Sequence, residues 1–486
     1  MSISALAGKP ETWTRLSAPL LFSLLKDVLE GWQLQWVQKR FAQLQDRIPA
    51  LDSLAEKQGV KFIDSFDTLA TILFTHQVYK NYPFAFIERK QFVELTRWLN
   101  KLTAHDLSSI NLRGVTTIDQ WLERLDEAGM FVFHSTGTSG KLSFFPRSQT
   151  EKEAWIEGPY AFLEAFMPGI RNTHLPVFWP AYRSGRQAGM RLITHFGPVL
   201  AGCEEEYHSL FEAPMSADFI SLAMRMKHAQ EQGDLPTIEK IKAIFKTKGE
   251  IITLKARKAA LTKSFFDKMV RDYRGRRVFL MASATDLLDV ALEGIQNGQS
   301  HIFASDSVLL TGGGFKGWKE IPGWKGILQE FYGVDQVFMS YGMTELNTYN
   351  LAYPKGVYHV FPWNIPLVLD RQGNLLPRTG AQTGRAGYFD LLAQTYWGGI
   401  LTGDRTTIPY DDECGCGWKG PWIEDNVQVF NRRIAISWNT LPLMFQRGHK
   451  SWILRRLPCW FWCSDHWNGH DGIGDASIST QNSGID

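Results

Sequence analysis

The sequence has few cysteines, little net charge and no long apolar run. Five cysteines among 486 residues, with no basic start and apolar stretch at the N-terminus, predict a reducing cytoplasm rather than a disulfide framework. A formal net charge of +2 gives no electrostatic reason to expect a nucleic-acid partner. The longest apolar runs, such as PLLFSLL at 19–25, are too short to span a bilayer. We therefore predict a cytoplasmic protein with no membrane span.

The first 130 residues are predicted to be mostly helical. In TIDQWLERLDEAG (117–129), Thr117 and Gln120 occupy capping-box positions, and Gly129 suits a left-handed helix exit. Apolar residues at three- and four-residue steps also predict one stripe on an earlier helix that ends near Pro49. The members of that stripe are Leu21, Leu25, Val28, Leu29, Trp32 and Trp36.

From residue 130 onward, strand and helix patterns alternate. Residues 237–270 are predicted to be largely helical, and 366–404 to form hairpins with turn glycines at Gly373, Gly384 and Gly387. The predicted strands lie at 130–133 and 142–146, at 277–283, and within the strand-then-loop segments 307–318 and 335–345. Such alternation predicts an α/β core with ligand-binding loops at the ends of strands.

The segment HSTGTSGKLSFFPRS (134–148) begins with a polar loop, at 134–141, that connects two of these strands. Its exposed N–H groups, hydroxyls and lysine suit a polyphosphate. A Walker A loop is excluded because Ser135 stands where its first glycine is needed and Leu142 follows Lys141 in place of Ser or Thr. Taken alone, the segment could also be a hairpin connection rich in small residues.

Three motifs together resemble the adenylate-forming superfamily of acyl-CoA ligases, luciferases and adenylation domains. They are STGTSGK (135–141), SYGMTE (340–345) and LTGD (401–404), in that order and at the expected spacing. Two further segments, LLTGGGFKGW and ECGCGWKGPWIED, are most similar to the branch that contains acyl-protein synthetases and phenylacetate-CoA ligases. The resemblance implies a large multi-sheet α/β N-terminal domain over 1–402, with 1–130 as its helical lead-in. Residues 403–486 would be a hinge and a shortened or degenerate C-terminal segment.

The reaction that the resemblance implies is activation of a carboxylic acid, a fatty acid in this branch, by ATP and Mg²⁺. The acyl-adenylate would then pass its acyl group to the thiol of a carrier or partner protein such as an acyl reductase. One alternative is a phenylacetate-type ligase that uses coenzyme A as the acceptor. Another is a nucleotide-binding subunit without turnover.

The resemblance also implies a role for each motif residue. Lys141, Thr344 and Glu345 would be catalytic, with Glu345 holding Mg²⁺ and Thr344 bonding the α-phosphate. Tyr341 would stack on adenine, and Asp404 would accept both ribose hydroxyls. The full nucleotide-binding set is Ser135, Thr136, Gly137, Thr138, Ser139, Gly140, Lys141, Gly312, Gly313, Gly314, Ser340, Tyr341, Gly342, Thr344 and Asp404. The structural alternatives are a solvated carboxylate at Glu345, core packing at Tyr341 and a turn carboxylate at Asp404.

Some features depart from the family pattern. Relatives in this branch usually carry arginine where this chain has Trp418 and Trp422, and tryptophan supplies neither the charge nor the forked donors. The tryptophan-rich segment after Val429 shows no lysine motif of a C-terminal lobe, which is why it is predicted to be degenerate. A four-thiolate zinc site would need an unusual pairing of cysteines and is not predicted. The four cysteines concerned are Cys414, Cys416, Cys459 and Cys463.

Overall fold

A computed structural model describes residues 8–136, 140–247, 251–312, 321–352, 356–411 and 414–430. Helices and strands alternate through most of these ranges, so the predicted α/β class is confirmed. Among the described residues, no helix combines the length and apolar character needed to cross a bilayer. The α-helices are α1 (Pro10–Trp13), α2 (Ala18–Leu21), α3 (Lys26–Leu44), α4 (Pro49–Gln58), α5 (Phe66–Thr71), α6 (Ala85–Glu88), α7 (Phe92–Leu99), α8 (Ile118–Glu127), α9 (Gln149–Phe166), α10 (Ala188–Ala201), α11 (Ala217–Gln232), α12 (Leu235–Thr247), α13 (Ile251–Asp272), α14 (Ala284–Gln296) and α15 (Trp324–Tyr332).

The strands form several separate sheets. They are β1 (Phe74–Thr75), β2 (Phe131–His134), β3 (Phe144–Arg147), β4 (Val177–Gly185), β5 (Tyr207–Met215), β6 (Phe279–Met281), β7 (Val308–Gly312), β8 (Val337–Gly342), β9 (Tyr349–Leu351), β10 (Tyr358–His359), β11 (Asn364–Leu369), β12 (Ala381–Asp390), β13 (Gly399–Pro409), β14 (Trp422–Ile423) and β15 (Gln428–Val429). The largest sheet has the order β5-β4-β6-β7-β8-β9, in which every neighbouring pair is parallel except β8 with β9.

A second sheet has the order β1-β13-β12-β11, and β15 pairs with β13. The hairpin β2-β3 and the pair β10-β14 are both antiparallel. Strand β13 passes through residues 402 and 403, so the predicted division there falls inside a strand. The division of the chain into two domains remains a prediction.

The helical start of the chain is confirmed, with one correction. Thr117 accepts a hydrogen bond from the Gln120 backbone N–H at 3.2 Å, and Gly129 adopts a left-handed φ of 78°. The stripe predicted on α3 is wrong at its N-terminal end, because Leu25 and Val28 are 61% and 41% exposed. The helix begins only at Lys26, and the residues that it buries are Leu29, Gln33, Val37, Arg40, Phe41 and Leu44.

The strand predictions after residue 130 are confirmed, but the turn glycines predicted at 384 and 387 are wrong. Gly384 and Gly387 lie inside β12 and pair with β13, and only Gly373, with a φ of 98°, lies in a turn. Close packing explains the glycine at 384, because a Cβ atom there would lie 2.3 Å from the Leu369 carbonyl oxygen. Strands β7 and β8 are parallel neighbours that end at Gly312 and Gly342, so two of the predicted ligand loops leave the same edge of the sheet. Crevices outside the carboxyl ends of parallel strands are where open α/β sheets bind ligands.

Candidate functional site

Tyr341 and Asp404 come from different sheets and meet side chain to side chain. The Tyr341 hydroxyl on β8 donates a hydrogen bond to Oδ2 of Asp404 on β13, at 2.9 Å. Asp404 is therefore more than a turn carboxylate that satisfies nearby backbone donors. The Tyr341 ring also lies 6.0 and 6.4 Å from the rings of Tyr358 and Tyr388, so part of it serves packing.

Glu345 lies in the turn that follows β8 and is half-buried. Burial raises the pKa of its carboxyl group above the ordinary 4.5, and the charge of Asp404 raises it further. Lys80 and Arg147 act in the opposite direction. Glu345 is thus a shielded carboxylate beside a second carboxylate, and this pair suits a divalent cation with hard oxygen ligands.

The phosphate-loop candidate is closed at its base by hydrogen bonds between Ser135 and Ser143, the residues next to β2 and β3. The Ser143 N–H donates to Oγ of Ser135 at 3.0 Å, and the Ser135 N–H donates to the Ser143 carbonyl at 3.1 Å. Gly140 has a φ of 78°, which favours glycine, and a Cβ atom there would lie 3.0 Å from the side chain of His228. Gly137, Thr138 and Ser139 lie outside the described residues, and Thr136 precedes them directly.

Lys141 ends this loop near a second lysine that the sequence analysis missed. Its ammonium group donates to the Tyr82 carbonyl and lies 4.3 Å from the centroid of the Tyr82 ring. Burial lowers the pKa of Lys141, and the charge of Lys80 lowers it further. The charge of Glu345 in turn raises the pKa of Lys80 against the lowering effect of burial. Electrostatic coupling therefore links the phosphate loop to Glu345 through Lys80.

Arg147, also missed by the sequence analysis, holds the turn that carries Thr344 and Glu345. Its Nη2 donates to the backbone carbonyls of Thr344 at 2.7 Å and of Leu346 at 3.0 Å, while Nε donates to the side chain of Asn347. The side chain is completely buried, and its guanidinium carbon lies 4.3 Å from the centroid of the Phe133 ring. Arg147 leaves β3 just after the phosphate loop, so one side chain joins two of the three motifs.

The far side of the same turn is held from the second sheet. The carboxylate of Asp390, at the end of β12, accepts a hydrogen bond from the Asn347 N–H. Nδ2 of Asn347 donates to the hydroxyl of Tyr396 at 3.0 Å, and that hydroxyl donates to the Glu345 carbonyl at 3.4 Å. Burial raises the pKa of Asp390 to about 6. The backbone of the turn is thus fixed from both sides.

A small cavity opens at the carboxyl ends of the central strands of the largest sheet. Its lining is mainly apolar and aromatic: Trp179, Pro180, Ala181, Met281, Ala282, Ser283, Thr311, Gly312, Ser340 and Tyr349. A Cβ atom at Gly312 would lie 2.2 Å from Oγ of Ser340, and one at Gly342 would lie 2.3 Å from Cδ1 of Tyr349. These two predicted site glycines therefore allow close packing within the protein. Gly313 and Gly314 lie outside the described residues.

Trp418 stands where relatives in this branch usually carry arginine, and it packs in an aromatic cluster. Its ring stacks on Phe22 with centroids 4.5 Å apart and an interplanar angle of 7°, and it lies 5.1 Å from the ring of His359. The Lys419 N–H donates to the Phe22 carbonyl at 2.7 Å in the same region. Here a packing role accounts for the departure from the family pattern.

Comparisons with protein-family models and with curated proteins give no match. Among solved structures, an open conformation of 2-hydroxyisobutyryl-CoA ligase in complex with 2-HIB-AMP and CoA is 14% identical, with 85% of this chain and 72% of that chain covered and a TM-score of 0.48. Apo MatB from Rhodopseudomonas palustris and the amide bond synthetase McbA from Marinactinospora thermotolerans are each 13% identical, with TM-scores of 0.33, and cover 62% and 61% of this chain and 48% of their own. These neighbours are adenylate-forming enzymes, the superfamily that the three motifs resemble. At these identities and scores the likeness assigns neither a substrate nor an acyl acceptor.

Proposed function

We propose that this protein activates a carboxylic acid, a fatty acid in particular, by joining it to ATP as an acyl-adenylate and releasing pyrophosphate. The observation that carries the proposal is the hydrogen bond between Tyr341 and Asp404, with the carboxylate of Glu345 close enough for Asp404 to shift its pKa. Two motifs that are far apart in sequence thus build one polar site. Arg147 and Lys80 connect it to the third motif.

Each group in the site has a task in that reaction. Asp404 accepts the ribose hydroxyls, and the Tyr341 ring offers a flat surface to the adenine. Lys141 and Lys80 offset the charge of the phosphates, so that the anionic acid can approach the α-phosphorus and pyrophosphate can leave. The turn carbonyls held by Arg147 keep Thr344 and Glu345 in place during the reaction.

Glu345 is the residue that would hold Mg²⁺. A cation there would offset the repulsion between Glu345 and Asp404 and would neutralise charge on the phosphates of bound ATP. Lys80 and Lys141 would contribute the same kind of stabilisation, because their positive charges also offset the charge of the phosphates.

The cavity next to Gly312 and Ser340 would hold the acid. Its apolar lining suits an alkyl or aryl group, and it includes Ser340 on β8, the strand that leads into the turn with Thr344.

The acyl group would then pass to the thiol of a carrier or partner protein. The test supplies purified protein with ATP, Mg²⁺ and a panel of fatty and aryl acids, and measures acid-dependent exchange of pyrophosphate into ATP. A second assay adds either coenzyme A or a candidate acyl-accepting protein and follows AMP release. AMP release that depends on coenzyme A alone would assign the acceptor to coenzyme A instead. No exchange with any acid would contradict the proposal.

A further inference from the structure

Three metal-ligating side chains meet away from the polar site described above. His359 on β10 is completely buried, and its Nε2 lies 3.1 Å from Sγ of Cys414 and 3.2 Å from Sγ of Cys416. All three ligand atoms lie within 4.8 Å of one another. The two sulfur atoms are joined as a disulfide in the structure.

The backbone around the cysteines brings both sulfurs to the imidazole. Gly415 and Gly417 have left-handed φ values of 73° and 85°, so the CGCG segment forms a tight turn. Residues other than glycine would be strained at these two positions. The β10-β14 pairing places His359 opposite Trp422, a few residues after the CGCG turn. The site is therefore built by one strand pair and one glycine-shaped turn.

We propose that Cys414, Cys416 and His359 bind one zinc ion when the two cysteines are reduced. Reduction takes two electrons and two protons from a thiol reductant, which is itself oxidised to a disulfide. Binding then releases the two thiol protons to solvent, because zinc takes thiolates. The inference is independent of the proposed adenylation.

The donor set fits zinc better than other common cations. Two thiolates and one imidazole are the soft and intermediate ligands that zinc accepts, whereas magnesium and calcium prefer oxygen. The charge of two thiolates cancels that of Zn²⁺, which lowers the cost of placing the ion in a partly buried site.

The distances need only a small adjustment. Tetrahedral zinc with these ligands places sulfur and nitrogen about 3.5 Å apart, close to the 3.1 and 3.2 Å observed. The two sulfurs separate once their bond is reduced, and the fourth position is left for water or another ligand. The ion would fasten the segment that carries Trp418 to β10.

The test measures zinc bound to the full chain, purified under thiol reductant without chelators, by inductively coupled plasma mass spectrometry. We expect one zinc per chain in the wild type and in Cys203→Ser, a control that removes the exposed free cysteine. We expect at least a tenfold loss in Cys416→Ser and in His359→Gln, with folding checked by circular dichroism. A titration of metal-free wild type with Co²⁺ is a second readout, because thiolate ligands give cobalt a charge-transfer absorption that does not depend on any variant folding.

Three results would overturn the inference. One is a reduced, folded wild type that binds neither zinc nor cobalt. Another is full zinc content in both Cys416→Ser and His359→Gln. The third is zinc that is lost in Cys459→Ser/Cys463→Ser but retained in His359→Gln, since that would assign the ion to four cysteines. Cys459 and Cys463 lie outside the described residues.

Discussion

The hydroxyl of Tyr341 donates a hydrogen bond to Oδ2 of Asp404, 2.9 Å away, and joins two motifs that are 63 residues apart in sequence. One of these residues lies in the parallel sheet and the other in the second sheet. The contact therefore links the polar ends of the two sheets. It also gives Asp404 a defined orientation before any ligand binds.

Replacing Tyr341 by phenylalanine keeps the ring and removes this hydrogen bond. We expect the KM for ATP to rise roughly five- to tenfold, because a net contribution of about 1 kcal/mol is lost from the group that orients Asp404. Steady-state kinetics with ATP as the varied substrate measure the effect. Tyr273→Phe is the control, since the Tyr273 hydroxyl contacts His208 and no motif residue. Equal KM values in the two variants would contradict the role given to the contact.

Arg147→Lys keeps the positive charge but loses the forked donors that hold the turn. Charge-assisted hydrogen bonds to the Thr344 and Leu346 carbonyls would be lost in a buried setting, so the free energy of unfolding should fall by about 2–4 kcal/mol. Activity should fall as well, because the turn positions Glu345. Denaturant unfolding and the adenylation assay are run on the same samples.

The matched control is Arg124→Lys, which alters an exposed ion pair with Glu127. Such a change should cost less than about 0.5 kcal/mol. If Arg147→Lys is no more destabilised than this control and keeps full activity, Arg147 does not hold the turn.

Asp390 predicts a pH dependence of stability. Its pKa is raised by burial to about 6, against an ordinary value of 3.8, so between these values the folded protein binds more protons than the unfolded chain. The contribution of this group to stability is therefore fully present below about pH 4 and is lost as the pH rises through 6. The difference of about two units between the folded and unfolded pKa of Asp390 corresponds to roughly 3 kcal/mol in the free energy of unfolding.

The measurement compares denaturant unfolding of wild type and Asp390→Asn at pH 4.5 and pH 7. As the pH rises from 4.5 to 7, the free energy of unfolding of the variant should increase by about 2 kcal/mol relative to that of the wild type. The reason is that asparagine does not titrate and still accepts a hydrogen bond from the Asn347 N–H. Asp335→Asn, at an exposed position, should show no such gain. If the free energies of unfolding of wild type and Asp390→Asn differ by the same amount at both pH values, Asp390 does not cause the pH dependence of stability.

Local patterns predicted much of the fold. The cap at Thr117, the left-handed Gly129 and the two strands that flank the polar loop after residue 134 all follow from residues close in sequence, and all are confirmed. The stripe on α3 was wrong because periodicity does not show where a helix begins. Leu25 has the right spacing, yet it precedes the first helical residue and remains exposed.

Only the motif residues of the candidate site were predicted from the sequence. Lys80 and Arg147 belong to no motif. Lys80 matters through its electrostatic interaction with Glu345, and Arg147 through its hydrogen bond to Thr344, and both partners are far away in sequence. The signal for Arg147 was its place directly after the phosphate loop, on a strand that is buried throughout. A charged arginine in a buried strand needs hydrogen-bond acceptors, so its position could have predicted that it holds a neighbouring loop.

His359 was missed for a similar reason. Sequence analysis paired cysteines only with cysteines, whereas the sheet pairing of β10 with β14 brings a histidine from more than fifty residues away. The notion that Trp418 weakens the family resemblance also changes once its stacking on Phe22 is seen. Both cases depend on contacts between residues that are far apart in sequence.

The most direct test of the central claim is acid-dependent ATP–pyrophosphate exchange in wild type and in Glu345→Gln. Glutamine has nearly the shape of glutamate but no charge for Mg²⁺, so we expect exchange with at least one acid in the wild type and a loss of about 100-fold or more in the variant. Glu330→Gln, at an exposed glutamate on α15, should retain full exchange. A folded wild type that binds ATP but exchanges with no acid, or a Glu345→Gln variant as active as Glu330→Gln, would contradict the account.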